Sequence, residues 1–230
     1  MLPLLCASKN AYIWLMEDFI RKLIAEGEHQ QLDFKFGITD SRKIARSLAA
    51  FANTDGGRLL IGVKDNGAIA GVRSEEEFYM VQAASELYTR PEVKFKVKEW
   101  KVEGRTVLEI TVPKSAEMPH SAPDKDGQWK VYIRVMDHNY LANSVWLKVL
   151  RHRNTDVGTL VEYTATEKLL LTYLSVNEKI TLSKFVRLAN INRKKAEILF
   201  VNFVSLGIIL MEFTENGVFY CLAKSYRNPG

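Results

Sequence analysis

The run FANTDGGRLLIGVKDNGAIAG at residues 51–71 leaves this chain few folding options. A double glycine precedes a continuous apolar run, an Asp-Asn-Gly triplet follows it, and a further glycine closes the segment. Gly56 and Gly57 admit backbone angles that a Cβ resists, so they suit a helix end that turns tightly toward a sheet. The segment GRLLIGV is short, apolar and bounded by turn signals, which reads as a buried strand. Asp65-Asn66-Gly67 is a tight turn before a short return strand. From these residues alone the run is a helix–turn–hairpin unit that needs no chemistry of its own.

The flanking residues extend the pattern. MEDFIRKLIAEG (16–27) has apolar positions at helical spacing and ends on glycine. QLDFKF (31–36) alternates, sending Gln31, Asp33 and Lys35 to one face and Leu32, Phe34 and Phe36 to the other. TDSRKIARSLAAFANT is a helix capped by Asp40 or Ser41, with Ile44, Leu48 and Phe51 on one face. SEEEFYMVQAASELY is a helix whose acidic first turn suits the macrodipole. VKFKVKEWKV and RTVLEITV form a hairpin through Glu103-Gly104, residues 113–128 read as a loop, WKVYIRV as a strand and SVWLKVLRHR as a short helix. The sum is an α+β domain over residues 16–153.

Residues 154–165 read as a linker. TEKLLLTYLS, TLSKFVRLA and NRKKAEILFVNFVSLG follow as helical patterns, then IILMEF and VFYCLA as strands joined through Glu215-Asn216-Gly217. Three helices and a hairpin in that order predict a winged helix over 166–225, a helix-turn-helix variant. Residues 1–15 read as a leader or alternative start, with Met16 as the other candidate first residue. Their short, broken apolar run lacks the basic start of a secretory signal.

Composition narrows the function. Of 230 residues, 47% are apolar and 26% charged, which suits a soluble globular protein. No apolar run reaches the roughly 18 residues of a membrane span. Cys6 and Cys221 make no disulfide framework and fit a reducing cytoplasm. The net charge of +5 is uneven: residues 166–230 hold 9 Lys+Arg against 5 Asp+Glu, and the remainder holds 23 against 22. A modest basic bias toward the C-terminus suits nucleic acid. No P-loop sequence is present, and His29, His120, His138 and His152 lack metal-ligand spacing. No cofactor is expected.

Several residues are candidates for contact with DNA or RNA. Arg193, Lys194 and Lys195 open the third helix of the winged-helix pattern, where base edges and phosphates are met. Lys94, Lys96 and Lys98 alternate along one strand and can track phosphates, with Trp100 as a stacking surface. The same row also suits the solvated face of an edge strand. Arg58 and Arg134 are phosphate-binding candidates, with structural ion pairs as the alternative. Ala196, Leu199, Phe200 and Phe203 form the core stripe of the last helix. Val201, Ile209 and Phe219 look like surplus apolar surface and suggest a homodimer. Asp33 and Lys35 can serve a metal-dependent nuclease, the carboxylate holding the cation and the ammonium steadying phosphate or water.

GEHQQLDFKF, then IARSLAAFANTDGGRLLIGVKDNGAIAGV, then VYIRV downstream together resemble the Schlafen AlbA-type DNA-binding domain family across residues 16–150. The resemblance implies an Alba-like mixed-sheet domain and nucleic-acid binding. A following winged helix is common in bacterial members described as transcriptional regulators. The resemblance also implies a trio of carboxylates used by ribonuclease-active eukaryotic relatives, which falls here on Glu28, Asp33 and Asp65, with Asp33 standing where Glu is more usual. Such a trio would hold Mg²⁺ or Mn²⁺, and Asp33 and Asp65 would meet if their strands are neighbours. The resulting reading is a cytoplasmic, homodimeric DNA-binding transcriptional regulator. A metal-dependent endoribonuclease and a non-catalytic dimerisation module are the alternatives.

Overall fold

The computed structural model describes residues 18–153 and 163–227. The expected leader and most of the expected linker lie outside these residues. The chain divides into two compact units, residues 1–141 and 142–230.

The first unit opens with helix α1 (18–26) and continues through β1 (Leu32–Lys35), α2 (Ser41–Ala52), β2 (Gly57–Ile61), α3 (Glu76–Tyr88), β3 (Lys96–Val102), β4 (Arg105–Val112), β5 (Ser121–Pro123), β6 (Trp129–Val135) and β7 (His138–Leu141). A four-stranded sheet runs β1-β2-β4-β3, and β5, β6 and β7 make a second, three-stranded one. β1 and β2 are parallel, in register from Leu32 opposite Arg58 to Lys35 opposite Ile61. A parallel pair needs a crossover, and α2 supplies it. The Asp40 side chain caps α2 by accepting from the Arg42 backbone N–H.

Both faces of the larger sheet are covered, as its apolar strands require. Leu32, Phe34, Leu60, Trp100, Val102 and Val107 pack with Ile20 and Leu23 of α1. On the opposite face Leu59, Ile61, Leu108, Ile110 and Val112 pack with Ile44, Leu48 and Phe51 of α2 and Val81 and Ala84 of α3. The face of β1 that carries Asp33 is therefore an inner one despite its polar residues: Asp33 is 3% exposed. The Asp65-Asn66-Gly67 turn forms as expected, with Gly67 N–H donating to the Lys64 carbonyl at 2.8 Å.

The second unit contains α4 (Ser144–Arg153), α5 (Ala165–Val176), α6 (Leu182–Ala189), α7 (Arg193–Ser205), β8 (Ile209–Thr214), β9 (Gly217–Leu222) and α8 (Lys224–Arg227). Helix α4 was expected to close the first domain at residue 153. It belongs instead to this core, because Val145 and Val149 pack with Leu170, Phe185, Leu199 and Phe200. The Thr164 and Glu167 side chains form a capping box that starts α5. Asn190, left-handed at φ 49°, ends α6, and Asn192 caps α7 by accepting from the Lys195 N–H. Ile180 and Tyr220 exchange two backbone hydrogen bonds of 2.9 and 2.8 Å, which fasten the α5–α6 connection to the β8–β9 hairpin. Among the described residues no helix is long and apolar enough to cross a membrane.

Candidate nucleic-acid interface

Three residues, Asn190 to Asn192, separate α6 from α7, and the Asn192 cap fixes where α7 begins. Its first turn carries the basic trio. Lys194 and Lys195 are exposed and have no ion-pair partner among the described residues. Arg193 is engaged: its Nε lies 3.1 Å from Glu197 Oε1, one turn along. Glu197 is 8% exposed and also accepts from Ser144 Oγ at 2.8 Å and from Lys148 Nζ. Burial pushes its carboxyl pKa up, but the hydrogen bonds from Lys148, Ser144 and Arg193 outweigh this and hold it below the usual range. Arg193 and Lys148 thus compensate a buried carboxylate and tie α7 to α4. Tyr220 is buried and its hydroxyl accepts from Asn143 Nδ2 at 2.9 Å; burial pushes its pKa up to about 12.

The lysine row on β3 is shorter than expected. The strand begins at Lys96, where pairing to Thr111 of β4 starts. Lys94 lies before it and pairs with Glu92 at 2.8 Å. Trp100 is 5% exposed, stacks on Phe19 at 5.0 Å and donates its Nε1–H to Glu109 Oε2 at 2.8 Å. The Lys98 ammonium sits 3.7 Å from the indole centroid. The indole is a core group covered by its neighbours, so it offers no open platform for a base.

The two arginines separate. Arg58 pairs with the buried Glu109 at 3.0 Å while keeping a half-exposed side chain. It lines a cleft of about 410 Å³ together with His29, Gln31, Asp55 and Lys114. Lys114 was not a candidate from sequence, where it opens a stretch that reads as loop. The pairing of Gly57 with Val112 brings that stretch beside Arg58. Arg134 is 2% exposed and its guanidinium is used internally. One Nη donates to the carbonyls of His29 and Leu32 at 3.4 and 3.1 Å and to Asp33 Oδ1 at 3.3 Å, and the other donates to Asn139 Oδ1. It is withdrawn from any phosphate.

The carboxylate trio divides in the same way. The Glu28 carboxyl pKa is raised by burial first and by the neighbouring Asp33 carboxyl second. Asp33 Oδ1 faces Arg134 and Oδ2 lies 3.0 Å from Lys35 Nζ. Asp65 is exposed on its turn. No group of three or more His, Cys, Asp or Glu is placed to hold a metal ion among the described residues. Glu28, Asp33 and Asp65 therefore do not fit a divalent cation, since the Asp33 oxygens already face cationic side chains and Asp65 does not join the pair.

What the cluster does is satisfy backbone. Gln31 and Lys35 direct their carbonyls to β2, so Leu32 and Phe34 turn their main-chain groups the other way. Leu32 exchanges hydrogen bonds with His29 and accepts from Arg134. The Phe34 N–H donates to Glu28 Oε1 at 2.8 Å, and its carbonyl accepts from Lys35 Nζ at 2.7 Å. Asn53 performs the same service at the end of α2. Its buried carboxamide donates to the His120 and Tyr132 carbonyls at 2.8 Å each and accepts from the His120 N–H at 2.7 Å.

A crossover helix that ends in Phe-Ala-Asn-Thr, the Gly-Gly entry to β2, and a second sheet held by Asn53 and Arg134 define an α+β domain of one recognisable kind. The chain belongs to the Schlafen AlbA_2 family, whose model matches residues 28–143. Two solved structures are similar to it. The DIP2311 protein of Corynebacterium diphtheriae is 21% identical, with a TM-score of 0.43 over 73% of this chain and 34% of that one. The N-terminal domain of a protein related to the ATP-dependent DNA helicase RecG, from Nitrosomonas europaea, is 18% identical, with a TM-score of 0.38 over 64% of this chain and 95% of that one. The chain thus spans about a third of the Corynebacterium protein. No curated protein matches it.

Proposed function

We propose that this chain is a DNA-binding transcriptional regulator, acting in the cytoplasm without a cofactor, whose second unit binds duplex DNA as a winged helix. The observation that carries the reading is the start of α7, where Lys194 and Lys195 stand exposed, without an ion-pair partner among the described residues, just after a three-residue turn. Membership of the Schlafen AlbA_2 family supports a nucleic-acid role. In this reading α6 lies across the backbone and α7 enters the major groove with its N-terminal turn. The two ammonium groups neutralise phosphates, and the positive end of the helix dipole adds to them. The β8–β9 hairpin is the wing, and the chain works as a homodimer.

Val201 and Ile209, expected at the dimer surface, are 2% and 0% exposed and belong to the core. An endoribonuclease has less support, because Asp33 is neutralised internally and, among the described residues, no third carboxylate joins Glu28 and Asp33.

Titration of the full chain with a fluorescent duplex at several salt concentrations tests the reading. Replacing Lys194 and Lys195 together with Ala should weaken binding and reduce the slope of log K against log salt by about 2, one unit per lost phosphate contact. Unchanged affinity and slope in the folded variant would reject it. Sedimentation of the free protein at micromolar concentration decides the dimer.

A further inference from the structure

We infer that Ile198 is the residue through which α7 selects bases, by packing against the 5-methyl group of a thymine. The inference rests on the duplex-binding reading above and adds what the lysines cannot supply. Ala196, Leu199, Phe200, Val201 and Phe203 of α7 are buried in the core. Ile198 points the other way and is 51% exposed. It stands three residues after Lys195 and four after Lys194, the spacings that make side chains neighbours on a helix surface.

Two exposed ammonium groups beside one apolar knob describe the partner's chemistry. It carries negative charge and, within a helical turn of that charge, an exposed apolar group. Major-groove DNA has both, since phosphates flank the groove and the thymine methyl is the apolar group on its floor. A second copy of this chain fits poorly. A two-fold contact centred on Ile198 would gather four lysine ammonium groups, two from each copy, in one interface, and like charges repel. Isoleucine also suits the task mechanically. Its branched Cβ leaves χ1 few rotamers, so the knob is held in place before binding. Having no donor or acceptor, it discriminates by shape and methyl burial alone. The lysines meet phosphates, which position the protein but carry no direct sequence information.

The probe is the duplex most enriched from a randomised pool by the full chain. Each thymine in turn is replaced by deoxyuridine, which pairs alike but lacks the methyl. One replacement should weaken wild-type binding by roughly fourfold, the worth of one buried methyl group. The same replacement should leave Ile198→Ala binding unchanged, while the salt slope of that variant matches wild type. Removing the methyl from the DNA needs no protein variant, so misfolding cannot imitate the result. Duplex binding in which every replacement acts equally on wild type and Ile198→Ala overturns the inference and leaves the reading standing. A change of oligomeric state in Ile198→Ala without a change in the deoxyuridine response also overturns it, and assigns the face to protein contact. If no duplex is enriched at all, the reading falls and the inference with it.

Discussion

Arg134 shows how a residue with a binding look can belong wholly to the interior. Its partner Asp33 has a side chain only 4% exposed, so removing the guanidinium strands a carboxylate away from water. Arg134→Ala should cost about 3–5 kcal/mol, the usual penalty for breaking a buried pair from one side, read from the midpoint of urea unfolding. A loss below about 1 kcal/mol would mean that Lys35 alone compensates Asp33. Glu28 adds a pH dependence whose sign follows from its raised pKa. Above the ordinary value of 4.5 an unfolded chain releases this proton, while the folded protein still holds it. Stability from this group therefore falls as pH rises from 4.5 through the raised folded value. Glu28→Gln keeps an acceptor for the Phe34 N–H and removes the titration, so its urea midpoint should vary less across that interval than the wild type's. Equal variation in the two proteins would assign the dependence elsewhere.

At the scale of elements, the contact between α2 and β2 explains why the double glycine is there. A Cβ on Gly57 would lie 2.3 and 2.4 Å from ring carbons of Phe51 and 3.0 Å from the Gln31 carbonyl. Phe51 is fully buried. Gly57→Ala should destabilise by about 1–3 kcal/mol, as overpacked cores do, and adding Phe51→Leu should recover part of it. Additive losses in the double variant, measured by thermal and urea unfolding, would place the strain elsewhere. This is also where the sequence is most legible. Period, caps and turn residues are local, so α2, β2, the hairpin of β3 and β4 and the three helices before β8 can be read from neighbouring residues. The role of Asn53 cannot, since its partners His120 and Tyr132 are 67 and 79 residues away. The same holds for Asp33. Alternation gives its face correctly, but the cover over that face comes from β6, 101 residues later. A strand pattern shows which side chains share a side and leaves open which side meets water.

For the molecule as a whole, the placement of α4 sets where it can be divided. Val145 and Val149 fill the second core, and Ser144 and Lys148 hold Glu197 there. A fragment starting at residue 142 should unfold cooperatively in urea with its helical circular dichroism intact. One starting at residue 154 should be markedly less stable, since each lost buried valine removes about 1.5–3 kcal/mol of burial. Equal stability of the two fragments would show α4 to be dispensable. The dressed margin of β1 has its own consequence at this scale. An open strand margin is a template on which other chains polymerise, and proteins commonly blunt such margins with charge. Here Glu28, Lys35 and Arg134 occupy the hydrogen-bonding groups of Leu32 and Phe34 that an incoming chain would need. The charged residues around β1 thus bear on colloidal behaviour: they let a sheet with an outermost parallel strand stay dispersed at high concentration, and a chain stripped of them would be prone to fibrous precipitation while still largely folded.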